Sequence, residues 1–148
     1  MKKFVVLFLA LLSFGGVSYS ADTEVGPSDP VWLTEVRASI KAKKYNEAIV
    51  QLQTASNTSS ADWNNLMGYS LRKKQPPDLT AAANYYQAAL KIDPEHRGAL
   101  EYYGELMLIN KDLPGAQALL ARLDKVCTFG CEEYTDLKES IQQYQVKK

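Results

Sequence analysis

The chain has 148 residues, 46% of them hydrophobic, with 17 basic and 17 acidic side chains and a single histidine. That length suits one domain with room for a core. An even charge balance excludes the strong basic surplus that nucleic-acid binding requires.

The opening Met1-Lys2-Lys3, the apolar run Phe4 to Phe14 and the closing Gly15-Gly16-Val17-Ser18-Tyr19-Ser20 have the three parts of a secretory signal peptide. Ser18 and Ser20 are the small residues a signal peptidase needs, so residues 1–20 are expected to be removed after Ser20. The apolar run of about eleven residues is well short of the roughly 20 that cross a bilayer, and no stable membrane insertion is expected after cleavage. No cysteine lies near the cleavage point, which removes the signal for a lipid anchor. Loss of Lys2 and Lys3 leaves 15 basic against 17 acidic side chains. The expected address is periplasmic or secreted.

Residues 21–28 are polar, contain Gly26-Pro27 and show no periodicity, the pattern of a flexible leader. Asp29-Pro30 then reads as an N-cap followed by proline at the first helical position, where no amide donor is needed. The first helix is expected to run to about Lys43. After a tight turn at Lys44-Tyr45 its partner runs to about Ala55. The loop Ser56-Asn57-Thr58-Ser59-Ser60 has side chains that compete for backbone hydrogen bonds and ends in an N-cap. From Asp78 to Gly104 one helical pattern stops at Asp93-Pro94 and a second begins. In the first of these, Leu79, Ala82, Ala83, Tyr86, Ala89 and Leu90 form an apolar stripe. Asp112-Leu113-Pro114 opens another helix, and Tyr134, Leu137, Ile141 and Tyr144 give the last segment an amphipathic face.

These signs recur at a fixed step. Tyr45, Ala48, Leu52 and Ala55 become Leu79, Ala82, Tyr86 and Ala89, then Leu113, Ala116, Leu120 and Leu123, each step being 34 residues. The second unit also carries Trp63, Leu66, Gly68 and Pro94, and the third Tyr103 and Gly104. The first is worn, keeping Trp32, with Val36 where the later units have glycine. Gly68 and Gly104 are 36 apart because Gln75-Pro76-Pro77 lengthens one turn. With these residues the sequence resembles the tetratricopeptide repeat family, over roughly residues 29 to 126. The resemblance implies an all-α fold, a right-handed α-solenoid of three helix hairpins (about 29–58, 60–93 and 95–127) in a domain spanning 29–148. A capping helix at about 132–146 would cover the last hairpin.

Cys127 and Cys131 are the only cysteines. In an exported chain two cysteines pair, and Gly130 gives the backbone freedom to turn one sulfur toward the other. A thiol-redox site, or a Cu(I) site with Met67 and Met107, stays open as the alternative. His96 follows Pro94 and reads as a solvated loop residue. Glu101 and Glu105 lie one turn apart and read as a solvated face with ordinary acidity. No Ser/His/Asp set, phosphate loop or paired metal ligands are found, so neither catalysis nor a cofactor is expected.

What remains is a surface. The resemblance implies a concave face that commonly receives an extended peptide or a partner helix. Threading the chain on that pattern places Leu33, Arg37, Ile40 and Lys41 in the groove, then Asn65, Tyr69, Arg72 and Lys73, then Glu101, Tyr102, Glu105 and Ile109. The groove would be basic at its start and acidic at its end, with tyrosines between. Some family members clamp a terminal carboxylate. The matching positions here hold Leu33, Arg37, Leu66, Gly98 and Tyr102, which lack that clamp. The partner is expected to be a protein or peptide, and self-association through the worn first hairpin stays open.

Overall fold

The computed structural model describes residues 29–147. The expected signal peptide and leader lie outside the described residues. Seven helices follow one another: α1 (Val31–Lys41), α2 (Tyr45–Ala55), α3 (Ala61–Lys73), α4 (Leu79–Ile92), α5 (Arg97–Ile109), α6 (Leu113–Val126) and α7 (Glu132–Val146). They pair as the hairpins α1/α2, α3/α4 and α5/α6, stacked in chain order, with α7 packed against both α5 and α6. The fold is therefore an all-α solenoid of three hairpins with a closing helix.

The repeat is a packing repeat. Ala48, Ala82 and Ala116, one per 34-residue step, are all completely buried, because an alanine lets the facing helix approach where a longer side chain would hold it off. The first and third hairpin turns are backbone copies of each other. Lys43 N–H donates to Ile40 O and Lys44 N–H to Ser39 O, and Lys111 and Asp112 donate in the same way to Leu108 O and Met107 O. Lys43 and Lys111 both sit at positive φ, 59° and 64°. The middle turn is longer, as its two prolines require.

Capping is read mostly as the sequence suggests. Ser60 Oγ accepts from Trp63 N–H, Asp78 from Ala81 N–H and Asp112 from Gly115 N–H. Three expectations are corrected. Pro30, not Asp29, is the N-cap of α1, and it offers no side-chain acceptor. Asp29 instead reaches Arg37 two turns along, so its carboxylate serves an ion pair. The third hairpin starts at Arg97 rather than Glu95, since His96 supplies the cap. The first helix also stops earlier, at Lys41.

Three apolar groups form the core. Val36, Ala48, Leu52, Trp63 and Met67 join the first two hairpins, and Trp63 Nε1 donates to Leu52 O at 2.7 Å across that junction. Ala82, Tyr86 and Leu106 lie in the middle. Leu100, Leu119 and Leu123 pack against Leu137 and Ile141 of α7, which buries the face the third hairpin would otherwise leave wet. Cys127 and Cys131 meet as a disulfide between α6 and α7, Cα atoms 5.6 Å apart, with Gly130 at φ +83° inside the loop.

Two helix glycines mark close approach, and they differ in what opposes them. A Cβ on Gly68 would stand 2.8 Å from Tyr86 Cε1 and 3.1 Å from the Ala82 carbonyl, a ring and a backbone that cannot yield. On Gly104 it would meet the methyl ends of Leu137 at 2.6 and 2.7 Å, which can rotate away. Alanine recovers about 1 kcal/mol of helix propensity at either site. Gly68→Ala is thus expected to destabilise by about 2 kcal/mol net, and Gly104→Ala by under about 1 kcal/mol. Equilibrium urea unfolding of the two variants checks the order.

Candidate functional site

Helix α3 neighbours both α1 and α5, so the first helices of the three hairpins share one face, the side expected to be concave, and α7 packs against α5 at its far end. At its centre stands Arg72, its side chain 5% exposed. Burying a guanidinium is costly unless it is neutralised, and here several groups converge on it. Glu105 Oε2 lies 2.6 Å from Nη2 in an ion pair. The rings of Tyr69 and Tyr102 flank the guanidinium carbon at 5.5 and 5.6 Å. Burial works against the charge of Arg72, and Tyr86 and Glu105 outweigh it, leaving the group above the ordinary arginine range.

Tyr69 and Tyr102 are themselves in contact, centroids 4.7 Å apart, and Tyr45 meets Tyr69 edge-on at 6.2 Å. A row of three tyrosines therefore runs from α2 across α3 to α5. Lys73 rests its ammonium 5.6 Å from the Tyr69 ring. Burial raises the phenols of Tyr69, Tyr86 and Tyr102, which stay neutral donors.

Beside this row is a cleft of about 540 Å³ whose walls come from α1, α3, α5 and the start of α7, including Arg37, Asp62, Asn65, His96, Tyr102 and Glu133. His96 is corrected from the solvated residue expected. Its Nδ1 accepts from Ala99 N–H at 3.1 Å, so Nε2 carries the proton and donates to Asp62 Oδ1 at 3.2 Å. That hydrogen bond, ahead of the opposing effect of burial, holds the Asp62 carboxyl below its ordinary range. Both ring nitrogens are committed, and the residue ties α5 to α3.

The threaded residues divide into two groups. Arg37, Lys41, Lys73 and Ile109 are exposed, and Tyr69, Tyr102 and Glu105 are partly so. Leu33, Asn65, Arg72 and Glu101 are buried, contrary to the open placement expected, because neighbouring helices pack over them more closely than helix phase alone predicts. The basic start of the groove is corrected with them: Arg72 is withdrawn from solvent and Arg37 is held by Asp29. Glu101 departs furthest from the solvated reading. It is 6% exposed, and burial, then Glu105, then Asp136 and Glu133 push its carboxyl up to about 8. Gly98 is legible in hindsight: a Cβ there would stand 3.0 Å from Asn65 Nδ2, so its absence seats that side chain.

Cys127 and Met107 adjoin the last core, while Met67 belongs to the first. Among the described residues no group of three or more His, Cys, Asp or Glu is placed to hold a metal ion.

An acid raised in the folded state keeps its proton longer folded than unfolded, so stability falls as pH rises from the ordinary carboxylate range to about 8, then levels. Glu101→Gln removes that proton linkage. Between pH 5 and 8.5 the wild type is expected to lose on the order of 2 kcal/mol more than the variant, measured by urea unfolding at both pH values.

Residues 78–140 match the family described as tetratricopeptide repeat. No curated protein matches the sequence. Among solved structures the fold is similar to the type III secretion translocator chaperone SycD of Yersinia enterocolitica, with TM-score 0.67, 13% identity, and 78% of this chain and 82% of that one covered. SycD in complex with a peptide of the translocator YopD gives TM-score 0.65 at 13% identity, covering 78% and 91%. Its alternative dimer gives 0.67 at 13% identity, covering 78% and 90%. The tetratricopeptide repeat match thus covers residues 78–140, and the same hairpin packing continues through the first half of the chain.

Proposed function

We propose that the protein is an exported, non-catalytic adaptor that holds an extended segment of a partner protein against its concave face. The observation that carries this reading is the tyrosine row Tyr45, Tyr69 and Tyr102, stiffened by the buried Arg72–Glu105 pair and adjoining an open cleft. Aromatic side chains supply large contact area at little entropic cost, which is how a small groove reaches useful affinity. Support also comes from the fold's likeness to SycD, which has been solved with a peptide of its translocator. On the same reading export comes from the signal peptide at residues 1–20, and the Cys127–Cys131 disulfide suits an oxidising compartment. The alternative, a thiol or Cu(I) function for these cysteines, gains no support from the side chains around them.

Two experiments test the reading. A photo-crosslinking residue at Lys41 or Ile109, exposed beside the groove, should capture a protein in the native host, whereas the same residue at Val50 on the outer helix α2 should not. A short peptide cut from the captured protein should compete it away, and equal capture at all three positions overturns the groove. For the exported form, the N-terminus should read from Ala21 and the intact mass should not change on alkylation without reductant. Two alkyl adducts would overturn the disulfide.

A further inference from the structure

We propose that the concave cleft selects a cationic side chain, an arginine or lysine carried by the extended partner segment, and takes it in against Asn65 and Glu133 of its lining, with the buried Glu101 next to Tyr102 of the same wall. The inference rests on the groove reading above and adds the chemistry that the groove selects.

The first observation is an acceptor without a donor. Asn65 lines the cleft, is 5% exposed, and its Oδ1 accepts no hydrogen bond within the protein. A buried amide oxygen left unpaired costs roughly 1–3 kcal/mol, which a donor brought by a ligand would recover.

The second is a buried acid without a counter-charge. Among the described residues no cation lies within ion-pair range of Glu101. It faces Glu105 and Tyr102 along its own helix, Glu133 and Asp136 from α7, and Arg72 from α3. Arg72 is already committed to Glu105, with Tyr86 of α4 beside it. Other cations of the cleft are engaged too: Arg37 with Asp29, and Arg97 with Glu133 through a long 3.8 Å contact that leaves the carboxylate room for a second donor.

The third is the wall. Tyr102 borders the cleft, and this face already holds one guanidinium between two tyrosine rings with a carboxylate against it, in the form of Arg72. Guanidinium and ammonium groups are donors only, and the site offers acceptors and ring faces. An acidic segment would bring further acceptors to a place already rich in them.

Uptake is coupled to a proton. Glu101 holds its proton through neutral pH, and a cation docked in the cleft beside it favours the ionised form, so binding releases the proton and tightens as pH rises past about 8.

The test is a library of random nonapeptides displayed and selected on the purified protein at pH 9, with the recovered ligands measured at pH 6.5 and pH 9. Arginine and lysine both stay charged across that range. Enrichment of one cationic position is expected, its replacement by norleucine should weaken binding at least about tenfold, and arginine against lysine at that position identifies the preferred headgroup. Wild-type affinity should tighten about tenfold from pH 6.5 to pH 9 and stay flat in Glu101→Gln. Glu133→Gln, on a partly exposed side chain, provides a second variant and should weaken cationic ligands alone. Groove ligands that lack a cation, or norleucine peptides that bind equally well, overturn this proposal and leave the adaptor reading standing. A library that yields no groove ligand overturns both.

Discussion

The concave face depends on how one buried charge is accommodated. Arg72 sits on α3 where a solvent-facing residue would be expected, and removing a guanidinium from water is too costly without compensation. Compensation comes from three helices at once: Tyr69 on α3, Tyr86 on α4, and Tyr102 with Glu105 on α5. The second and third hairpins are thereby locked in one relative position by electrostatics as well as by apolar contact. The same arrangement has a consequence for charge balance, because it commits to Glu105 the cation that also acts on Glu101.

Around that centre the repeat supplies a scaffold of close approaches. Ala48, Ala82 and Ala116 mark the places where each second helix presses on its neighbours, and Gly68 does so where Tyr86 crosses α3. The closing helix changes the last unit. Leu137 seats against Gly104, drawing α7 down onto α5 so that Glu133 and Asp136 arrive on the groove side. The disulfide at Cys127 and Cys131 lies where α6 gives way to α7 and helps set that descent.

The architecture was legible because it is periodic. A 34-residue step in alanines and large apolar residues fixes which faces meet, and Ser60, Asp78 and Asp112 announce their helices through side chains whose chemistry is local. The site was legible only in its residue types. Helix phase places Asn65, Arg72 and Glu101 on the concave side, but it cannot tell that neighbouring helices come near enough to bury them, since that depends on residues over 30 positions away. His96 was misread for the same reason: its partner Asp62 lies 34 residues earlier, one full repeat. Asp29 was misread in the other direction, its ion pair with Arg37 outcompeting the cap that the Asp-Pro pair suggests.

Where local rules are broken is itself informative. Among the described residues, the buried side-chain atoms without a hydrogen-bond partner are Gln51 Oε1, Asn65 Oδ1, Ser70 Oγ, two nitrogens of Arg72 and Tyr86 Oη. All but the first lie on α3 or against Arg72, although α3 is one helix of seven. A chain selected for stability alone would fill such positions with apolar side chains, since each unpaired group costs free energy and well-packed hydrophobic replacements are often neutral or better. The first and last cores follow that course, built from leucine, isoleucine, valine, alanine, methionine and tryptophan. Unmet polar demand thus gathers on α3, the helix between the other two groove helices, while apolar packing prevails at either end of the stack.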